Sequence, residues 1–292
     1  MRHRLFYLLL QVASAVVGVL PLSWARRVCS AIGALSYPFA GERRLMSKRH
    51  MERIAPDRKD HDALARRVFA NYGRRWAESL WLRPSRVPGL VAAAQTEGFQ
   101  NLIDAKAKGR GVILALPHQG YFELSAPVTA TLGLKVVAVA ENLENRYVRD
   151  WFTRMREAFD IQVRYADDPA VMRSLVSDLA AGKAIALVSD RDLSGRGVEV
   201  EFFGERTTLP SGPAGLSIRT GAPIVPVGTY FTPGANLLIV TPSIDIPTEG
   251  TVAERTVAMT QQLANRLEDL IKRDPSQWLV LQPNWPSDSQ PA

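Results

Sequence analysis

Two clusters in this 292-residue chain carry side chains suited to chemistry on a substrate. The first is Leu114-Ala-Leu-Pro-His118-Gln-Gly-Tyr-Phe-Glu123, an apolar run that ends in proline and histidine, with a carboxylate five residues later. A neutral imidazole serves as a general base when a second group fixes its tautomer. Five helical steps of about 100° would set His118 and Glu123 about 140° apart, so they meet only if His118 lies in the turn before a helix. Pro117 favours that turn by keeping residue 116 extended. The expectation is that Glu123 accepts the Nδ1 proton and leaves Nε2 free. The same spacing also fits a structural histidine that caps a helix, with Glu123 as an ordinary first-turn acid. The second cluster is Ser189-Asp190-Arg191-Asp192, at the end of another apolar run. It suits contacts to sugar hydroxyls or an anionic group, and equally ion pairing among neighbours at a strand end.

Several other chemistries are excluded. The chain has one cysteine, Cys29, and four histidines, too few for a disulfide framework, a four-cysteine zinc site or a histidine-rich metal centre. Neither G-x-G-x-x-G after a strand nor G-x-x-x-x-G-K-[ST] occurs, so the usual dinucleotide and phosphate cradles are missing. G-x-S-x-G and H-E-x-x-H are absent as well. A reaction that needs neither metal, cofactor nor covalent intermediate fits what remains.

The elements that must position these residues follow from periodicity. Short apolar runs at 111–116, 135–140, 161–165, 184–188 and 223–228 read as buried strands. Helical patterns at 119–132, 145–160, 168–181 and 211–220 separate most of them, and a long helix at 251–273 precedes a last short strand at 278–281. Strands alternating with helices imply an α/β fold, a largely parallel central sheet flanked by helices. Ligands bind such sheets at the carboxyl ends of the strands, where both clusters lie. Parallel strands end on the same edge, so His118 and Asp190 should open onto one cleft.

The charge is uneven. Residues 1–90 carry 17 basic against 6 acidic side chains, and residues 91–292 carry 19 against 23. A basic amino-terminal third calls for an anionic partner, or is a solvated face. Leu5 to Leu20 is nearly apolar and ends at Pro21; its 16 residues fall short of the ~20 that span a bilayer. A second apolar stretch, Val28 to Ala40, follows Arg26-Arg27. Two apolar helices flanked by arginines suggest a hairpin on a membrane interface. A buried core helix and a cleaved signal peptide are the alternatives. The expected organisation is residues 1–40 as membrane-associating helices and 41–292 as the body, with an Arg-rich helical lead-in at 41–90, helical over 42–83, and a catalytic part at 91–292. Nucleic acid is not an expected partner, because the positive charge sits beside apolar helices and not around aromatic stacking groups.

Pro117-His118-x-x-x-x-Glu123 after a hydrophobic strand resembles the H-x4-[D/E] motif of the glycerolipid acyltransferase superfamily. The later segments extend the likeness: Ser189-Asp190-Arg191-Asp192, Val200-Glu-Phe-Phe-Gly204, Leu209-Pro-Ser-Gly-Pro-Ala214 and Thr220-Gly-Ala-Pro-Ile-Val-Pro-Val227. Their order is similar to the lauroyl/myristoyl lipid A acyltransferase branch. Within it, the Leu-Pro-His start, the Phe-Phe-Gly-Glu segment and the closing Leu281-Gln-Pro-x-Trp285 most resemble actinobacterial phosphatidylinositol mannoside acyltransferases. Glu123 stands where the family often has Asp, and Asp190 where the mannoside enzymes have Glu.

The resemblance implies transfer of a long-chain acyl group from a thioester to a hydroxyl of a membrane glycolipid, by a protein held peripherally or monotopically at the cytoplasmic face of the plasma membrane. His118 would be the base, Glu123 its partner and Asp190 a second catalytic carboxylate. Arg191 and Asp192 would contact substrate. No cofactor is implied beyond the co-substrate, with acyl-CoA favoured over acyl carrier protein. The favoured acceptor is a phosphatidylinositol mannoside and the rival a lipid A precursor. A basic nucleic-acid-binding protein and a non-catalytic lipid-binding protein are the readings outside the enzyme class. The oxyanion would meet N–H groups at the strand end and the following helix.

Overall fold

The computed structural model describes residues 2–193 and 195–289. The helices are α1 (Arg2–Val19), α2 (Leu22–Ser36), α3 (Glu42–Ile54), α4 (His61–Trp81), α5 (Val87–Ala92), α6 (Gln100–Ala107), α7 (Ser125–Ala130), α8 (Arg146–Glu157), α9 (Val171–Ala180), α10 (Gly212–Thr220) and α11 (Val252–Arg273). The strands are β1 (Gln95–Glu97), β2 (Val112–Leu116), β3 (Val136–Ala140), β4 (Ile161–Tyr165), β5 (Ala184–Val188), β6 (Val198–Phe202), β7 (Glu205–Leu209), β8 (Ile224–Phe231) and β9 (Asn236–Val240).

Seven strands form one sheet in the order β1-β9-β8-β2-β5-β3-β4. From β8 to β4 every pairing is parallel, while β9 returns antiparallel to β8 and takes β1 parallel to itself. The α/β class and the largely parallel sheet agree with the strand–helix alternation. Period-two burial splits β2 between two cores. Val112, Leu114 and Leu116 join one with α6, α7 and α8, and Ile113 and Ala115 join the other with α4, α9, α10 and α11. Helices cover both faces, so the central strand is apolar throughout.

Four local expectations change. The stretch 42–83 is two helices, α3 and α4, broken at 55–60, where Pro56 cannot continue the ladder. The helix expected at 119–132 shrinks to a 3-10 turn at Phe122–Leu124 and α7, because Gly120 takes φ +55° and turns the chain first. Residues 278–281 do not form a strand; one bridge joins Trp278 to Gln119, and the segment crosses the end of β2. The short β1 and β9 supplement the runs read as the sheet, while β6 and β7 pair as a separate two-stranded hairpin. Phe202-Phe203-Gly204 is the strand end and turn of that hairpin.

α2 lies against α4 in a crossing that needs two glycines. A Cβ on Gly33 would fall 2.1 Å from the Phe69 carbonyl oxygen, and one on Gly73 would fall 2.1 Å from that of Cys29. The opposite faces stay apolar and exposed: Leu5, Leu9, Val12, Val16 and Val19 along α1, and Trp24, Val28, Ile32 and Leu35 along α2, continued by Phe39 at 88% exposure. Among the described residues no helix is long and apolar enough to cross a membrane.

Candidate active site

The β2–β5 register pairs Leu116 with Val188. Two residues further on, each strand delivers a polar side chain to the same level: His118 from β2 and Asp190 from β5. The Asp190 carboxylate is fully buried. One oxygen, Oδ1, accepts from His118 Nδ1 at 2.7 Å. The other, Oδ2, accepts from the His118 backbone N–H at 2.8 Å and from the Trp278 indole N–H at 2.6 Å. Burial alone would raise the pKa of Asp190. The His118 imidazole and the hydrogen bonds from its ring, its amide and Trp278 outweigh that, and the carboxyl is held below its ordinary value. An ionised carboxylate only accepts, so Nδ1 carries hydrogen and Nε2 is the nitrogen left for chemistry. The His118 side chain keeps 33% of its surface exposed. A shielded acid behind a half-open imidazole is the arrangement of a general base and its orienting partner.

Glu123, expected to be that partner, stands elsewhere. After Pro117 the chain makes a three-residue turn, with Gln119 N–H donating to the Pro117 carbonyl at 2.8 Å. Gly120 follows with positive φ, and its missing Cβ lets it pass against the Thr229 backbone. The 3-10 turn then carries Glu123 away from the imidazole toward α4. There it accepts from Arg75 Nη2 at 2.6 Å, both side chains being largely buried. Arg75 also lies over the Phe122 ring at 4.7 Å, and that ring meets the His118 ring edge-on at 5.7 Å. Glu123 therefore touches the site through Phe122, not through Nδ1. Arg75 escaped the sequence reading because its signal was slight: an arginine on the apolar side of a helix that is otherwise Arg-rich.

Asp190 is likewise not free to bind sugar hydroxyls, since His118 and Trp278 use its carboxylate. Arg191 is half-buried at the end of β5. Asp192 caps the loop that follows: its carboxylate accepts from Gly195 N–H at 3.1 Å, Gly197 N–H at 2.7 Å and Thr208 Oγ1 at 3.1 Å. It also borders a groove of about 290 Å³ shared with Thr208, Asn284 and Trp285.

The expected oxyanion donors at the strand end are committed as well. The His118 amide binds Asp190, the Gln119 amide closes its own turn, and the Gly120 amide donates to the Gln277 carbonyl at 3.0 Å.

The carboxy-terminal segment forms one wall of the site. Leu279 N–H donates to the His118 carbonyl at 2.7 Å, and Asn284 Nδ2 donates to the Asp190 carbonyl at 3.1 Å. Trp285 stacks on Phe202 at 5.6 Å and donates to its carbonyl at 2.9 Å. Behind them His50, fully buried, has Nδ1 3.2 Å from the Val280 carbonyl and Nε2 3.2 Å from Asp288 Oδ2. The Phe-Phe-Gly and Leu-Gln-Pro-x-Trp segments are thus two sides of one aromatic cluster, and Trp278 is its contact with the dyad.

The family model described as bacterial lipid A biosynthesis acyltransferase matches residues 2–287. The phosphatidylinositol mannoside acyltransferase of Mycolicibacterium smegmatis is 32% identical over 229 residues, covering 78% of this chain and 74% of that protein. The protein of the same name from Mycobacterium tuberculosis is 33% identical over 233 residues, covering 78% and 72%. The match over nearly the whole length places this chain in the bacterial lipid A biosynthesis acyltransferase family.

Proposed function

We propose that this acyltransferase moves a long-chain acyl group from acyl-CoA to a hydroxyl of a phosphatidylinositol mannoside, with His118 as general base. The observation that carries the base assignment is the 2.7 Å hydrogen bond between His118 Nδ1 and the buried Asp190, with the ring half-exposed. The names of the relatives support the acceptor.

In this reading Nε2 takes the proton of the acceptor hydroxyl as its oxygen attacks the thioester carbonyl. Asp190 offsets the charge that develops on the imidazole. The tetrahedral intermediate collapses, the carbon–sulfur bond breaks, and the imidazolium returns its proton to the departing thiolate. The products are an ester and a free thiol. General-base assistance of this kind contributes roughly 10²–10⁴-fold. Arg191 is the nearest candidate along the chain to face the oxyanion or a donor phosphate. Glu123, through Arg75 and Phe122, supports the turn that presents His118.

The exposed apolar stripes of α1 and α2 suit shallow insertion into a bilayer surface, with Arg27, Arg43 and Arg44 beside them for anionic headgroups. In this reading the protein is held peripherally at the cytoplasmic face of the plasma membrane.

The test is purified protein incubated with radiolabelled acyl-CoA and vesicles containing phosphatidylinositol mannosides. Labelled glycolipid and released thiol in equal amounts, both lost in His118→Ala, are expected. Transfer only from acyl carrier protein, or only to a lipid A precursor, would overturn the donor or the acceptor. Binding to the vesicles without thiol release would overturn the enzymatic reading.

A further inference from the structure

Trp278 is fully buried, yet its indole N–H ends on the oxygen of a catalytic carboxylate. Three donors converge on Asp190: the His118 ring, the His118 amide and this indole. The first two come from the residue that Asp190 orients. The third comes from the far end of the chain, 88 residues away, and is the one donor that can be removed without touching His118.

The indole is held from both sides. Its ring lies 5.1 Å from that of His50 and 5.9 Å from that of Trp285. Its backbone is strapped to the His118 turn by the Gly120–Gln277 and Leu279–His118 hydrogen bonds. His50 is in turn fixed by the Val280 carbonyl and by Asp288, so the donor direction cannot drift.

We propose that Trp278 is a positioning residue that acts through Asp190: its N–H spreads the charge of the carboxylate and so sets how tightly the dyad holds a proton on the imidazole. The proposal rests on the reading of His118 as the base. A carboxylate that gives part of its charge to an indole N–H attracts an imidazolium less. The other charged groups around the dyad are His50 and Asp288 behind Trp278, the Arg75–Glu123 pair behind Phe122, and Arg191 and Asp192 beyond Asp190. A Trp278→Phe substitution leaves all of them in place.

The measurement is the pH dependence of kcat/KM for Trp278→Phe. Its acid limb should move to higher pH by about one unit, a tenfold loss on the acid side with a smaller change on the plateau. Trp285→Phe is the control: it removes a buried indole from the same cluster, but that indole donates to Phe202 and not to Asp190. A shift in Trp278→Phe alone supports the proposal. An unshifted limb, or equal shifts in both variants, overturns it. Should Trp278→Phe not fold, wild-type protein with 15N-labelled tryptophan decides. One of its six indole signals should titrate together with the limb and stop doing so in His118→Ala. If none titrates, the proposal falls. A wild-type profile without an acid limb overturns the base and this proposal together, whereas an unshifted limb in Trp278→Phe overturns the proposal alone.

Discussion

Arg75 and Glu123 form a 2.6 Å ion pair directly behind the aromatic ring that abuts His118. Glu123 is 2% exposed and Arg75 14%, so neither charge has much water to return to if the other is lost. Removing one partner of such a pair costs more than the pair contributes, because a buried charge is left alone. Glu123→Gln should destabilise the protein by about 3 kcal/mol. The double variant Arg75→Met/Glu123→Gln should regain much of that. Urea unfolding of the three proteins checks this, and a Glu123→Gln single variant as stable as wild type would refute it.

Asp190→Asn separates orientation from acid strength. The amide nearly matches the carboxylate in shape, but it cannot accept from His118 Nδ1, His118 N and Trp278 Nε1 as two anionic oxygens do. Its NH2 face would favour the wrong imidazole tautomer. Turnover per folded molecule should fall at least about 10²-fold, and His118→Ala should fall as far or further. Circular dichroism establishes how much protein is folded. Near-wild-type turnover in folded Asp190→Asn would remove Asp190 from the mechanism.

Acid stability follows from the carboxyls that are held low. Asp190 and Asp288 both have folded-state pKa values below their unfolded ones. For Asp190, burial opposes the shift, and the His118 imidazole with the bonds from its ring, its amide and Trp278 outweighs it. For Asp288, burial opposes the shift, and bonds from His50 and the amides of Asn284 and Trp285 outweigh it. A depressed carboxyl contributes stability that is fully present above its unfolded pKa and is lost as the pH falls toward the folded value. The melting temperature should therefore drop progressively below about pH 4. Asp288→Asn should lower it at neutral pH and flatten the acid slope. A slope unchanged in Asp288→Asn would show that other groups govern acid unfolding.

The α2–α4 crossing gives a test with opposite signs. Gly73→Ala gains about 1 kcal/mol of helix propensity but drives a methyl group to 2.1 Å from the Cys29 carbonyl oxygen. Overpacking of that kind costs about 1–3 kcal/mol, so the melting temperature should fall. Gly89→Ala in α5 meets nothing within 4 Å and should raise it slightly. Equal melting temperatures in the two variants would mean that the helices part easily.

The alternation of apolar runs with helical patterns was sufficient to read the parallel α/β sheet, because burial on both faces makes each central strand uniformly apolar. β2 and β5 are examples: Val112–Leu116 is buried throughout, and Ala184–Val188 is buried over its first three residues. The proline after β2 and the acidic block after β5 marked the site edge for the same local reason: polar groups cannot continue inside the sheet. β9 and the β6–β7 hairpin were harder to read, since short strands with mixed faces differ little from loops.

Which carboxylate meets His118 was not a local matter. Spacing offered Glu123, five residues away, as one candidate, whereas Asp190 lies 72 residues away and arrives through the β2–β5 register. Hydrogen-bonded register brings distant strand ends to within ångströms, while one positive φ at Gly120 turns a near neighbour aside. Trp278 and Arg75 reach the site in the same way, from a loop and a helix whose own patterns speak only of packing. Pattern determined the layers and the edge at which chemistry would lie. The tertiary structure alone decided the partners there, because a hydrogen bond depends on distances of a few tenths of an ångström that no periodicity encodes.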